Sequence, residues 1–331
     1  MIPINYIVGH RADPDGIMCH AIFRRNEKNT RHIYADYGDV NGHLRSLVNL
    51  SPGTVQVADL SYHHSIEPIL AELNSKGHVL NWYDHHNDSR DNEDLLKEYC
   101  WKVRLGQGLC AAKLVSREYP EDDYGSFLSE IGQVHDFHNQ TDIVMYSLGV
   151  GIMDIMSKIT LSGINLEDLV VDLAEEKVFE SIRTSPRFNP QYKKIVQEFQ
   201  ICKQKAIREM DQSLEYVEMD GYVVATAFSD RILYMKPGLD HLQDQLIKNK
   251  NPVEEKVDCC IVFYAQRPNV VMVTGGKIGS SIIQFSKSQG GGGRDHGGGF
   301  QLDHDNSPQT YSQDRLEILE RLREYLSTLK K

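Results

Sequence analysis

Several features that would take this chain out of the ordinary globular classes are missing. No run of about 18 apolar residues is present to form a membrane-spanning helix. The stretch Met1-Ile2-Pro3-Ile4-Asn5-Tyr6 has neither the basic start nor the long apolar run of a secretory signal, so a cytoplasmic protein is expected. Positive charge is scarce: 36 Lys and Arg stand against 47 Asp and Glu, for a formal net charge of −11. That balance argues against a protein that coats long nucleic acid through an extended basic face. Two bound divalent cations would still leave the chain acidic. A polyanionic substrate must therefore be small, or enter through a locally positive mouth. The six cysteines (Cys19, Cys100, Cys110, Cys202, Cys259, Cys260) show no C-x-x-C spacing. Within a strand, Cys259 and Cys260 would point to opposite faces and would not share a metal, so reduced thiols are expected. There is no internal repeat.

What is present is a soluble composition, 40% hydrophobic and 25% charged, over 331 residues, a length that suggests two domains. The first 120 residues alternate short apolar strands with helical stretches. Strands are expected at Ile4 to Gly9, Thr30 to Tyr37, Thr54 to Leu60 and Val79 to Tyr83. Helices are expected at Ile17 to Asn26 and Ser65 to Lys76, the latter stopped by Gly77. The alternation predicts an α/β fold with a mainly parallel, doubly wound sheet, whose ligands sit at the carboxyl ends of the strands. We expect a catalytic domain over 1–140, a helical connector over 141–219 and a smaller C-terminal α/β domain over 220–331. In the last, strands are expected at Tyr222 to Phe228, Val257 to Ala265 and Val270 to Thr274. A helix near Ser280 to Ser288, a glycine-dense loop from Gly290 to Gly299 and a charged helix from about Asp314 follow.

Acidic, His-containing motifs occupy the strand ends. His10-Arg11-Ala12-Asp13-Pro14-Asp15-Gly16 follows the first strand; Asp13 and Asp15 are spaced to address adjacent ions, or to cap a helix. Pro14 stiffens the turn and Gly16 permits a tight entry into the helix. Asp59, in Val57-Ala58-Asp59-Leu60-Ser61, is either a two-oxygen bridge between cations or a loop aspartate accepting backbone N–H bonds. Tyr83-Asp84-His85-His86 groups a charge with two titratable rings at a buried strand end, which brings no packing gain and points to metal or phosphate chemistry. Asp136, within Val134-His135-Asp136-Phe137-His138, acquires meaning only beside the other three motifs.

This ordered set, with the eponymous Asp84-His85-His86, resembles the DHH phosphoesterase superfamily. That superfamily spans RecJ-type exonucleases, short-oligonucleotide nucleases, cyclic-dinucleotide phosphodiesterases and manganese pyrophosphatases. The resemblance implies that His10 and Asp13 hold one ion, that Asp15, His85 and Asp136 hold a second, and that Asp59 bridges them. Asp84 would be a ligand or would orient His85, and His86 would face the substrate phosphate. The mixed imidazole and carboxylate set suits Mn²⁺, although raw affinity would favour Zn²⁺ or Cu²⁺. Two ions roughly 3.5–4 Å apart would support hydroxide attack on phosphorus without a covalent enzyme intermediate.

The segment Gly290-Gly291-Gly292-Gly293-Arg294-Asp295-His296-Gly297-Gly298-Gly299-Phe300 is too glycine-dense for the interior of a strand or helix. Its glycine N–H groups can form an anion nest, with Arg294 gripping phosphate. It resembles the glycine-rich signature of the DHHA1-type substrate-binding domain, usually Gly-Gly-His-x-x-Ala-Ala-Gly-Phe. Here Arg294 takes the place of the His, and Gly297 and Gly298 that of the Ala pair. Phosphate contacts are expected from Gly291, Gly292, Gly293, Arg294 and His296, and Phe300 and Tyr264 are candidates to stack on bases. The expected function is a two-metal phosphodiesterase or exonuclease that cuts short or single-stranded oligonucleotides to nucleoside monophosphates. A small-molecule phosphatase acting on 3′-phosphoadenosine 5′-phosphate, a cyclic dinucleotide or polyphosphate is the alternative. A catalytically silent replication subunit is a third, opposed by the retention of every proposed ligand. A homodimer is expected from the resemblance.

Overall fold

An uninterrupted apolar run, Tyr6-Ile7-Val8, makes β1 (Asn5–His10) a strand buried on both faces: Ile7 enters one core, Tyr6 and Val8 the other. The computed structural model describes residues 4–162, 165–229, 257–264, 270–275, 279–294, 297–302 and 310–329. β2 (Thr30–Ala35), β3 (Thr54–Ala58), β4 (Val79–Asp84) and β5 (Lys102–Leu105) join β1 in an all-parallel sheet of order β2-β1-β3-β4-β5. The chain steps from β1 to β2 on one side, then returns to place β3 on the other. The topological switch point therefore lies between β1 and β3, where open parallel sheets bind ligands.

Helices cover both faces, as the alternation predicted. α1 (Pro14–Asn26), α6 (Ala111–Ser116), α7 (Asp123–Asp136), α8 (Ile143–Ser162) and α9 (Leu166–Ala174) share a core with Ile7, Ala58 and Tyr83. α2 (Val40–Leu47), α3 (Glu67–Ser75) and α5 (Glu93–Tyr99) pack on Val55, Val57, Leu80 and Trp82 from the other side, and the short α4 (Asn87–Asp91) leads out of β4. Trp82 is fully buried; a ring of that size removes enough apolar surface to contribute on the order of 5 kcal/mol before entropic costs. Between β3 and β4 the buried Asn81 amide donates to Gln56 Oε1 at 3.0 Å, so this polar pair satisfies itself inside the sheet. A two-residue ribbon, β6 (Phe179–Glu180) and β7 (Arg187–Phe188), turns around Ser185-Pro186. The chain divides into compact units at Gln197/Glu198, within α10 (Pro190–Gln212), and Leu148 to Val196 of the helical region contributes side chains to the first core.

Among the described residues, the second unit is built on a mixed six-stranded sheet. β8 (Glu215–Met219) and β9 (Tyr222–Ser229) form a hairpin whose turn residues Asp220 and Gly221 both take positive φ, 52° and 80°, as a tight Asp-Gly turn requires. β10 (Cys259–Tyr264) runs parallel to β9; β11 (Val270–Gly275), β12 (Gly292–Arg294) and β13 (Gly297–Gln301) complete the order β12-β13-β11-β10-β9-β8. α11 (Gly279–Ser288) and α12 (Tyr311–Leu329) supply Ile282, Phe285, Ile318 and Leu322 to the core on one face. Cys259 faces that core and Cys260 the opposite one; all six cysteines are free thiols.

The glycine segment differs from the loop expected of it. Gly292 to Arg294 and Gly297 to Gln301 are paired antiparallel strands, with Gly293 opposite Gly298. The reason lies in packing, which local composition does not reveal. A Cβ on Gly298 would meet Ser286 Oγ of α11 at 2.5 Å, and one on Gly291 would meet the Gly299 carbonyl oxygen at 2.0 Å. Glycine here lets a helix and two strands approach closely.

Candidate metal centre

The ends of three neighbouring strands, β1, β3 and β4, and of two helices, α1 and α7, converge in the first unit. His10 is the last residue of β1. Asp13 caps α1 with Oδ1, which accepts the Gly16 N–H at 3.2 Å, while Oδ2 lies 2.9 Å from His10 Nδ1. The two readings of this motif are thus compatible: one oxygen caps and the other faces the cluster. Gly16 is required, since a Cβ there would lie 2.1 Å from the His10 carbonyl oxygen. Asp15, buried in the first turn of α1, accepts the Ala111 N–H at 2.8 Å on Oδ2 and the Ala112 N–H at 2.9 Å on Oδ1. Gly132 of α7 gives it room, because a Cβ there would crowd Asp15 Oδ1 at 3.0 Å.

Asp59 leaves β3 with a φ of 57°, a left-handed conformation that non-glycine residues seldom adopt, and its N–H donates to the Tyr83 carbonyl at 2.9 Å. The strained exit turns its two oxygens to opposite partners. Oδ2 is 3.5 Å from His10 Nδ1 and Oδ1 is 3.3 Å from His85 Nε2. His85 Nε2 also lies 4.0 Å from Asp15 Oδ2, and its Nδ1 lies 3.6 Å from Asp136 Oδ2 at the end of α7. Asp84 Oδ1 holds His86 Nδ1 at 2.7 Å.

Ligand atoms fall into three overlapping groups: His10, Asp13 and Asp59; Asp15, His85 and Asp136; and Asp59, Asp84, His85 and His86. All six residues expected to hold metal are therefore brought together, with Asp59 and His85 each shared between groups. Asp84 and His86 lie beside them.

No protein-family model matches this sequence, and no curated protein matches it. Solved structures do. A DHH-domain protein, described as belonging to a family of ribosomal proteins, superposes with a TM-score of 0.62 at 15% identity, over 99% of this chain and 87% of that one. The fold is that of DHH-domain proteins. A pGpG-specific phosphodiesterase from Vibrio cholerae superposes with a TM-score of 0.54 at 13% identity, over 97% of this chain and 98% of that one. Within the DHH fold the Asp84-His85-His86 tripeptide thus occupies the end of β4, beside the switch point.

Electrostatics at this corner of the DHH fold call for added positive charge. Burial, then the neighbouring Asp59 and Asp136 carboxylates, drive the Asp15 carboxyl well above its usual range. Burial and Asp13 do the same to Asp59. Burial opposes a charge on His10, yet Asp13 and Asp59 push its pKa up to about 10. Asp84 also resists burial: its bond to His86 holds the carboxyl below the usual range and raises His86 in turn. The buried Asp59 Oδ2 accepts no hydrogen bond among the described residues. Clustered carboxylates with an orphaned acceptor, mixed with imidazole nitrogens, fit divalent cations.

Two further residues that no sequence motif marks stand at this site. Asp36, one residue past β2, has Oδ1 3.6 Å from His10 Nε2 and takes the Arg11 Nε–H on Oδ2 at 2.7 Å. The Tyr37 hydroxyl lies 2.9 Å from His86 Nε2. In the second unit, Gly291 donates its N–H to the Ser286 carbonyl at 2.9 Å, so that group closes α11. Phe300, proposed to stack on bases, is instead a core residue, 4% exposed and packed edge-on against Phe285. His296 lies outside the described residues.

Proposed function

We propose that this chain is a metal-dependent phosphoesterase that uses two divalent cations, in the cell Mn²⁺, to hydrolyse short or single-stranded oligonucleotides to nucleoside monophosphates. The observation that carries the proposal is Asp59, whose two oxygens face His10 on one side and His85 on the other. A carboxylate held in a left-handed exit so as to serve two imidazole–carboxylate groups is costly unless both groups are used. His10 and Asp13 would hold one ion, and Asp15, His85 and Asp136 the other. Such ions supply Lewis acidity, acidifying water and offsetting phosphoryl charge. Asp84 fixes the His86 ring through Nδ1, and the positive charge this favours on His86 would offset the charge of a substrate phosphate bound beside it. In the second unit, β12 ends the strand order of its sheet, and we assign a substrate phosphate to the backbone of Gly292 and Gly293 beside Arg294 and His296.

The acidic net charge supports short substrates over long strands, as does likeness of fold to a pGpG-specific phosphodiesterase. The test is a panel: protein with Mn²⁺ and two- to five-nucleotide RNA and DNA, a long single strand, 3′-phosphoadenosine 5′-phosphate, cyclic di-AMP and polyphosphate. Preferential turnover of the two- to five-nucleotide substrates is expected. Equal turnover of long and short strands would remove the short-substrate preference, and no turnover with two ions bound would remove the enzyme. A homodimer is also proposed, to be checked by light scattering.

A further inference from the structure

A row of aromatic rings runs through the metal centre and is exposed at both ends. Tyr37 is 47% exposed; its ring lies 4.8 Å from His10 and 5.6 Å, edge-on, from His86. The His86 and His85 rings are 4.4 Å apart, and Phe137, 43% exposed at the end of α7, lies 5.9 Å from His85. Two exposed rings flanking a polar centre are placed to contact a ligand bound there. Trp101 is more exposed still, but it precedes β5 and so stands at the amino end of a parallel sheet, away from the ligand-bearing carboxyl ends.

We propose that Tyr37 and Phe137 are stacking platforms for the two bases that flank a scissile phosphodiester, which makes the preferred substrate a dinucleotide-type diester rather than pyrophosphate or polyphosphate. This rests on the phosphoesterase reading of the same site. A phosphate bound at ions held by this cluster leaves a nucleoside to extend from each of its two ester oxygens; Tyr37 lies against His10 and His86, and Phe137 against His85. The Tyr37 hydroxyl, 2.9 Å from His86 Nε2, fixes the orientation of its ring. Stacking on a ring face tolerates any base, so the two platforms select for bases without selecting among them.

The test compares a 5′-phosphorylated dinucleotide with its abasic counterpart, which has the same phosphodiester and sugars but no bases. The wild-type protein with Mn²⁺ should prefer the dinucleotide. Phe137→Ala and Tyr37→Leu should each reduce that preference by about 5- to 150-fold, the ratio equivalent to about 1–3 kcal/mol of stacking per base, and the loss should fall on KM. Phe137→Trp should retain it, and Tyr37→Phe, which keeps the ring but loses the hydroxyl that orients it, should retain more of it than Tyr37→Leu. A preference unchanged in both truncated variants, or equal use of the abasic diester by the wild type, overturns the proposal. Calorimetric binding with Ca²⁺ in place of Mn²⁺ gives the same ratio without turnover. Absence of chemistry would therefore count against the phosphoesterase reading, while stacking is judged on affinity alone.

Discussion

The first unit holds two histidine groups with opposite electrostatic character. His10 is enclosed by Asp13, Asp36 and Asp59, and of these Asp13 and Asp59 overcome burial to push its pKa up to about 10. His20 of α1 and His32 of β2 face each other instead, Nδ1 to Nδ1 at 2.9 Å, with the Tyr34 ring 4.5 Å from that of His20. There burial prevails: His20 falls well below its usual range and His32 to about 4, despite the pull of Glu167 on the latter. Burial, aided at His20 by the facing His32 and at His32 by Arg24, therefore turns these histidines neutral. What makes a cation site is the ring of carboxylates, and of these two groups the first has one.

The hardest test of that contrast removes the shared carboxylate. Asp59→Asn keeps the shape and deletes the charge that serves both imidazoles. We expect Mn²⁺ stoichiometry, measured by mass spectrometry of the metal content, to fall below two. Phosphoesterase activity should drop by at least about a thousandfold, beyond the 10- to 100-fold typical of residues that only orient ligands. Retention of both ions would show that Asp59 does not bridge.

A second test uses pH, because the two groups predict opposite slopes in the metal-stripped protein. His20 and His32 have folded pKa values depressed below the usual 6.5, so the unfolded chain binds the extra protons. Their stabilisation is complete above about pH 6.5 and is lost as pH falls towards 4. His10 has a raised value, so its contribution is complete below about pH 6.5 and is lost as pH rises through about 10. Urea denaturation across this range should show both declines. His32→Gln should flatten the acid decline by about 3 kcal/mol and leave the alkaline one intact. If the acid decline persists unchanged in the variant, the histidine pair is not what titrates.

The same contrast explains what the sequence could reveal. Asp13, Asp15, Asp59 and His85 are legible because a parallel sheet presents its carboxyl ends together, so motifs far apart in the chain fall at one edge. Asp36 and Tyr37 escape a reading that runs the second strand through Tyr37, whereas β2 stops at Ala35. Two residues of strand length decide whether a side chain belongs to the sheet or to its ligand edge. β5, Lys102 to Leu105, escapes notice because an edge strand with half-buried polar residues lacks the apolar run of its neighbours. The glycine segment misleads for a different reason. Its composition answers to the close approach of α11, a contact that no local pattern encodes.

The smallest expected effect concerns Asp36 itself. Its Oδ1 stands 3.6 Å from His10 Nε2, on the side of the ring opposite Asp13 and Asp59, while Oδ2 is held by Arg11. Asp36→Asn should therefore weaken the first ion by about tenfold, the low end for a group that acts through a ligand, with little change in kcat once metal is saturating. Arg11→Gln is the control. Arg11 also pairs with Asp39 at 3.0 Å, but it is 44% exposed, and such pairs contribute at most about 1 kcal/mol. It should leave Mn²⁺ affinity within about twofold, as measured by calorimetry, if Asp36 acts through its own charge. Equal weakening by both substitutions would mean that Arg11 positions the carboxylate. No weakening by either would confine the charge that distinguishes His10 from His20 to Asp13 and Asp59.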